Sequence, residues 1–257
     1  MPSSAEPSTW LRELRPGRAG HPTLICFPPG GGSATGYSRL ASSFGPGPAV
    51  YAVQYPGRQD RLGDPLVPSI TELAALIAAA IRPLTAARPV LFGHSMGATV
   101  AFETARCLEA DGRPVAALFV SGRPDPTFVE QGTLHRASDD ALIAELERLA
   151  NDPASVRVLR DEPGLAELVL PAVRNDYRAV ETYRYRPGTR LGCDIFALLG
   201  RSDPTTTPDQ LGGWRHHTAG GFATSSFPGG HFYLDDNSRE IADLIVRNVG
   251  AENPSSP

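Results

Sequence analysis

The chain has 257 residues, 41% of them hydrophobic, and a formal net charge of -4, which suits one sizeable core and is short for two full domains. Its arginines are scattered from Arg12 to Arg247 without a basic stripe, so nucleic acid is not an expected partner. All 24 basic residues are arginine, which removes Schiff-base lysine and phosphate-loop lysine chemistry.

Cys26, Cys107 and Cys193 are odd in number, far apart and set among apolar neighbours. They read as buried reduced thiols rather than bridges or zinc ligands, the usage of a cytoplasmic protein. No run approaches the ~18 apolar residues of a membrane span, and the N-terminus lacks a basic flank followed by an apolar stretch. Neither a membrane partner nor an export signal is expected. Residues 1–8 and 251–257, rich in Pro, Ser and Glu, are expected to be disordered ends around a single domain over 9–250.

In chain order, residues 23–27 (TLICF) form an apolar run that stops at Pro28-Pro29-Gly30-Gly31-Gly32, the pattern of a buried strand entering a tight loop. A helical segment is expected from Ser33 and a second strand over 50–55. Ser69 to Glu72 is a capping box opening a helix over 73–84. Residues 90–92 (VLF) are a strand that passes through Gly93-His94-Ser95-Met96-Gly97 into a helix over 98–110, ended by Gly112. Residues 115–120 and 194–199 are further buried strands, and 222–227 a weaker one. Strands apolar along their length and alternating with helices specify an α/β fold with a mostly parallel sheet covered on both faces. Between 125 and 190 the alternation fails, and helical patterns over 141–149 and 165–183 suggest a lid inserted over the active edge.

The chemistry centres on Ser95. A serine hydroxyl is a poor nucleophile until a base takes its proton and donors await the oxyanion. Flanking glycines let a strand turn sharply into a helix with the serine at the apex, and the Met96 amide then lies at a helix N-terminus, facing an oxyanion formed at Ser95. The second donor is expected from the loop after the first strand. Pro28 and Pro29 have no N–H, so its first amide belongs to Gly30.

Six histidines compete for the base. His94 adjoins the nucleophile, but neighbouring side chains diverge on a sharp elbow, so it reads as a supporting residue. His21 precedes a strand, His135 lies in the insertion, and His216 and His217 fall in a predicted helix. His231, in Pro228-Gly229-Gly230-His231-Phe232 after the last strand, is the expected base. Its orienting carboxylate is Asp203 or Asp125, both after strands and both followed by proline. The order Ser95, Asp203, His231 favours Asp203.

These residues resemble the stand-alone type II thioesterases that accompany polyketide synthases and nonribosomal peptide synthetases. The likeness runs from Trp10 to about Val249 through Cys26 to Ser33, Tyr55-Pro56-Gly57-Arg58, the Ser95 pentapeptide, Ser121-Gly122-Arg123, YRAVETYRY over 177–185, and Gly229 to Tyr233. It implies an α/β-hydrolase with a mobile helical lid, acting on acyl groups held as thioesters on the phosphopantetheine arm of an acyl carrier protein or peptidyl carrier domain. It also carries the triad onto Ser95, Asp203 and His231. Two positions depart from the family's usual pattern: Pro29-Gly30, where small or polar residues are common, and Gly200-Arg201-Ser202 before the aspartate, where acidic residues often stand. No metal and no cofactor is called for. Leu134, Leu142, Leu146 and Val173 are candidate linings of an acyl pocket. The competing readings are a generic carboxylesterase, an acyltransferase, disfavoured by Ala98 after Gly97, and an inactive carrier-binding protein.

Overall fold

The computed structural model describes residues 9–249; the ends expected to be disordered, 1–8 and 251–257, lie outside the described residues. The strands are β1 (Leu11–Arg15), β2 (Thr23–Phe27), β3 (Ala49–Val53), β4 (Val90–His94), β5 (Ala117–Ser121), β6 (Asp194–Gly200) and β7 (Phe222–Phe227). They form one sheet in the order β1-β3-β2-β4-β5-β6-β7. Only the β1–β3 pair is antiparallel. The class is α/β, as the alternation predicts.

The central strands β4 and β5 are buried at every position because both faces are covered, and apolar up to the ends that carry Gly93-His94 and Ser121. Successive residues supply opposite cores: Leu91 joins one side with Ile25, Phe27, Ile77 and Phe102, while Phe92 joins the other with Cys26, Tyr37 and Ile241. Helices α2 (Ile70–Ile81) and α3 (Met96–Ala110) belong to the first side, and α1 (Ser38–Ser43) and α8 (Ser238–Val249) to the second. The Ser69 hydroxyl accepts the Glu72 amide and caps α2, but the reciprocal bond to the Glu72 side chain that a full capping box requires does not form among the described residues. That helix ends at Ile81, passing into a 3-10 turn at Arg82–Ala87 that contains Pro83. The three cysteines are free, Cys26 and Cys193 being buried, and burial pushes the Cys193 thiol up to about 12.

β1 is a strand that the sequence hides. Arg12, Glu13 and Arg15 interrupt any apolar run, and only Leu11 is buried. An edge strand needs cover on one face alone, and charge on such a strand discourages pairing with another chain.

Between β5 and β6 lie α4 (Asp139–Leu149), α5 (Pro153–Asp161) and α6 (Pro163–Thr182). Leu142, Ile143, Leu159, Leu170 and Val173 form a small core of their own. The last turn of α6 leaves that satellite: Ala179, and Tyr183 just past the helix, belong to the main core, and the Tyr183 hydroxyl donates to Glu103 Oε1 at 2.6 Å. One end of α6 is therefore rooted in the sheet domain while its beginning carries the inserted helices. The short α7 (Pro208–Gly212) follows β6, with Thr207 and Gln210 closing a capping box.

Candidate active site

Ser95 sits between the last residue of β4 and the first of α3, with φ 52° and ψ -123°. A non-glycine residue at positive φ is strained, and such strain persists only where the surroundings over-determine it. Here the Ser95 amide donates to Ser121 O at 2.8 Å. The flanking glycines serve by their small size rather than by unusual φ. A Cβ at Gly93 would lie 2.2 Å from Gly97 O, and one at Gly97 2.0 Å from Phe27 O, distances no side chain tolerates. The α3 backbone thus presses against β2, and the Met96 amide, in the first turn of α3, has no partner within the helix.

Around Gly30 the loop's polar groups are committed. Phe27 O accepts from Tyr37 Oη at 2.8 Å, Pro28 O from Tyr55 Oη at 3.3 Å, and Pro29 O from the Gly32 amide at 2.9 Å. The Gly31 amide donates to Asp176 Oδ2 at 2.8 Å. The Gly30 amide, the first after two prolines, has no acceptor among the described residues.

His231 Nδ1–H donates to Asp203 Oδ2 at 2.9 Å, with both side chains essentially buried. Thr205 donates twice to Asp203 Oδ1, from its amide at 2.9 Å and its hydroxyl at 2.7 Å. Burial alone would raise the Asp203 carboxyl, but the hydrogen bonds from His231 and Thr205 outweigh it and hold the group below the ordinary aspartate value. Asp125 lies elsewhere, 3.2 Å from His217 Nε2 and bonded by Thr127. His217, in a 3-10 turn at Gly213–His217 rather than an α-helix, packs edge-on to Phe102 and Tyr185.

Gly30, Ser95, Met96 and His231 share one cavity of about 330 Å3. Leu134 and Leu146 line it from the insertion. Leu142 and Val173 do not: they are 0% and 2% exposed inside the satellite core, and their place as pocket lining is corrected accordingly. Residues not assigned to the pocket from sequence also reach the cavity, notably Phe128, Tyr177, Thr205 and Phe232.

His94 is 1% exposed; its Nδ1 lies 2.9 Å from Ser121 Oγ, itself 2.6 Å from Tyr233 Oη. Its ring centroid is 4.9 Å from that of His231. Burial, with a smaller effect of His231, holds its pKa well below the ordinary 6.5. The unfolded chain therefore binds a proton near pH 6.5 that the folded chain refuses, so stability falls as pH drops below that value. One such proton is worth about 1.4 kcal/mol per pH unit. Urea unfolding at pH 7.5 and 5.5 should show wild type losing about 1.4 kcal/mol more than His94→Gln; equal losses in the two proteins would contradict a buried neutral His94.

Residues 22–249 match the family described as "Thioesterase domain". The chain is 44% identical over 240 residues to a probable cadicidin biosynthesis thioesterase of Streptomyces griseus, covering 92% of this chain and 66% of that relative, so it spans just under two thirds of that protein. It is 41% identical over 246 residues to thioesterase PikA5 of Streptomyces venezuelae, covering 95% and 86%. Among solved structures it is similar to the type II thioesterase BorB of the borrelidin biosynthetic cluster, with 44% identity, a TM-score of 0.82, and 94% and 96% of the two chains covered. The fold is that of the α/β-hydrolases, and the chain belongs to the thioesterase domain family.

Proposed function

We propose that this chain hydrolyses acyl groups held as thioesters on the phosphopantetheine arm of a carrier protein or carrier domain, clearing stalled or mis-primed units from a polyketide or nonribosomal peptide synthase. The observation that carries the reading is the cavity shared by Ser95, Gly30, Met96 and His231, with His231 held by Asp203. The names of the relatives, a probable cadicidin biosynthesis thioesterase and a type II thioesterase of the borrelidin biosynthetic cluster, support the substrate class. Three free thiols suit a cytoplasmic setting. No helix among the described residues is long and apolar enough to cross a membrane.

In this reading Ser95 Oγ attacks the thioester carbonyl as His231 Nε2 takes its proton, and the Gly30 and Met96 amides stabilise the resulting oxyanion. The carbon–sulfur bond breaks and the pantetheine sulfur leaves, taking up the proton that His231 holds, so that a free thiol departs and the imidazole is neutral again; a thiolate leaves readily, so this transfer is undemanding. Water, deprotonated by His231, attacks the acyl-Ser95 ester; the free acid departs and Ser95 regains its proton. The test is hydrolysis of a panel of acyl-carrier thioesters set against simple esters of the same acids. Preference for the carrier-bound set supports the reading, and equal rates would favour a general carboxylesterase.

The cavity wall contributed by the insertion is part polar. Tyr177 lies there with the Glu145–Arg148 and Arg123–Glu130 ion pairs, beside Leu134 and Leu146. The Tyr177 hydroxyl makes no hydrogen bond among the described residues, and burial raises its pKa well above the usual phenol value. Such a wall suits acyl chains that keep an oxygen substituent. Tyr177→Phe should lower the ratio of kcat/KM for a 3-hydroxyacyl over the matching alkyl substrate by about 3- to 10-fold, the worth of one neutral hydrogen bond. An unchanged ratio would remove Tyr177 from substrate recognition.

A further inference from the structure

The loop that presents Gly30 is gripped by a residue from the insertion. Asp176, on α6, is 2% exposed and lies on the cavity wall. It accepts the Gly31 amide at 2.8 Å and a two-pronged contact from Arg58, whose Nη1 and Nη2 reach Oδ2 and Oδ1 at 2.8 and 3.0 Å. The same guanidinium donates to Gly32 O at 3.0 Å and to Pro56 O at 3.3 Å. Arg58 O in turn accepts from Gln54 Nε2, and Gln54 Oε1 takes the Ala34 amide at 3.0 Å. A Cβ added to Gly30 would lie 3.5 Å from the Cβ of Asp176, so the aspartate packs against the very residue whose amide is unclaimed.

A buried ion pair is a weak device for stability, since an apolar pair of similar volume often does as well or better. What this pair supplies is position. Three consecutive glycines leave a loop conformationally free, whereas an oxyanion donor works only if it sits 2.7–3.1 Å from where the charge develops. Asp176 and Arg58 fix the peptide groups on the C-terminal side of Gly30, and Tyr37 and Tyr55 fix the carbonyls on its N-terminal side. The aspartate comes from α6 and the amides from the sheet domain.

We infer that Asp176, oriented by Arg58, is a positioning residue for the oxyanion loop, so that seating of α6 on the core and alignment of the Gly30 amide are a single event. The inference rests on the proposed role of Gly30 in thioester hydrolysis. It also gives the insertion a part in catalysis separate from walling the acyl pocket.

Asp176→Asn keeps the side chain's size and loses its charge. On an acyl N-acetylcysteamine thioester, kcat should fall about 100-fold, the scale of a misplaced oxyanion donor, with KM within about threefold of wild type. An acyl trifluoromethyl ketone, which adds Ser95 Oγ to form a charged hemiketal, should lose affinity in parallel with kcat, while a thioether analogue with no carbonyl binds as before. An Asp176→Leu/Arg58→Met double variant, restoring apolar packing, should unfold near the wild-type midpoint and remain slow. A folded Asp176→Asn with kcat within threefold of wild type, a loss carried by KM, or recovery of kcat in the double variant would overturn the inference. Failure of the trifluoromethyl ketone to inhibit the wild type would instead count against the functional reading beneath it.

Discussion

Asp203→Asn is expected to lower kcat by about 10^3- to 10^4-fold, toward the blank defined by Ser95→Ala, while Asp125→Asn leaves it within about threefold. The reason is the tautomer of His231. A carboxylate at 203 accepts the Nδ1 proton and leaves Nε2 free to take the proton of Ser95. An amide there can present its NH2 to Nδ1, shifting the imidazole proton to Nε2, where it blocks base catalysis. The two Thr205 hydrogen bonds hold Oδ1, so the side chain has little freedom to turn away. Asp125 has an equivalent local turn but pairs with His217 and packs tightly against Gly213, where a Cβ would meet Asp125 Oδ2 at 2.2 Å. Its loss should appear as a lower urea midpoint, not as slower turnover. A near-wild-type rate for Asp203→Asn, or a collapsed rate in folded Asp125→Asn, would reject the assignment of the acid.

The two aspartates also mark where sequence reading reaches its limit. Both stand in Asp-Pro-Thr, and in both the threonine amide and hydroxyl fold back onto Oδ1. Local sequence encodes the same turn twice; only the histidine facing each turn differs, and that is a matter of tertiary structure. The Ser95 elbow was legible because its requirements are local: an apolar strand, two glycines and a helix within one short stretch. The central strands were legible because burial on both faces makes them apolar over most of their length, VLF in β4 and ALFV in β5. Leu142 and Leu146 were not separable, being one turn apart on the same face of α4, yet the former closes the satellite core and the latter borders the cavity. Arg58 was visible as part of a motif without a role, because its partner is 118 residues away.

Gly97→Ala is expected to destabilise the fold by about 3 kcal/mol or more, at the upper end for overpacking, and to abolish hydrolysis in whatever remains folded. The added methyl would stand 2.0 Å from Phe27 O and 2.6 Å from Pro28 O. Those are backbone atoms, already bonded to Tyr37 and Tyr55, so no flexible side chain can yield. The start of α3 must withdraw from β2, and with it move both Ser95 and the Met96 amide relative to the Gly30 loop. Gly36→Ala is the matched control: a Cβ there meets nothing within 4 Å, and its backbone is not at positive φ, so stability should be unchanged or slightly raised. Urea midpoints give the first comparison, and fluorophosphonate labelling of Ser95 gives the second. A Gly97→Ala protein within about 1 kcal/mol of wild type would mean that the elbow relaxes without cost. In that case close packing of α3 on β2 would not be what holds Ser95 at φ 52°, and the strain would have to be maintained by the Ser121 carbonyl alone.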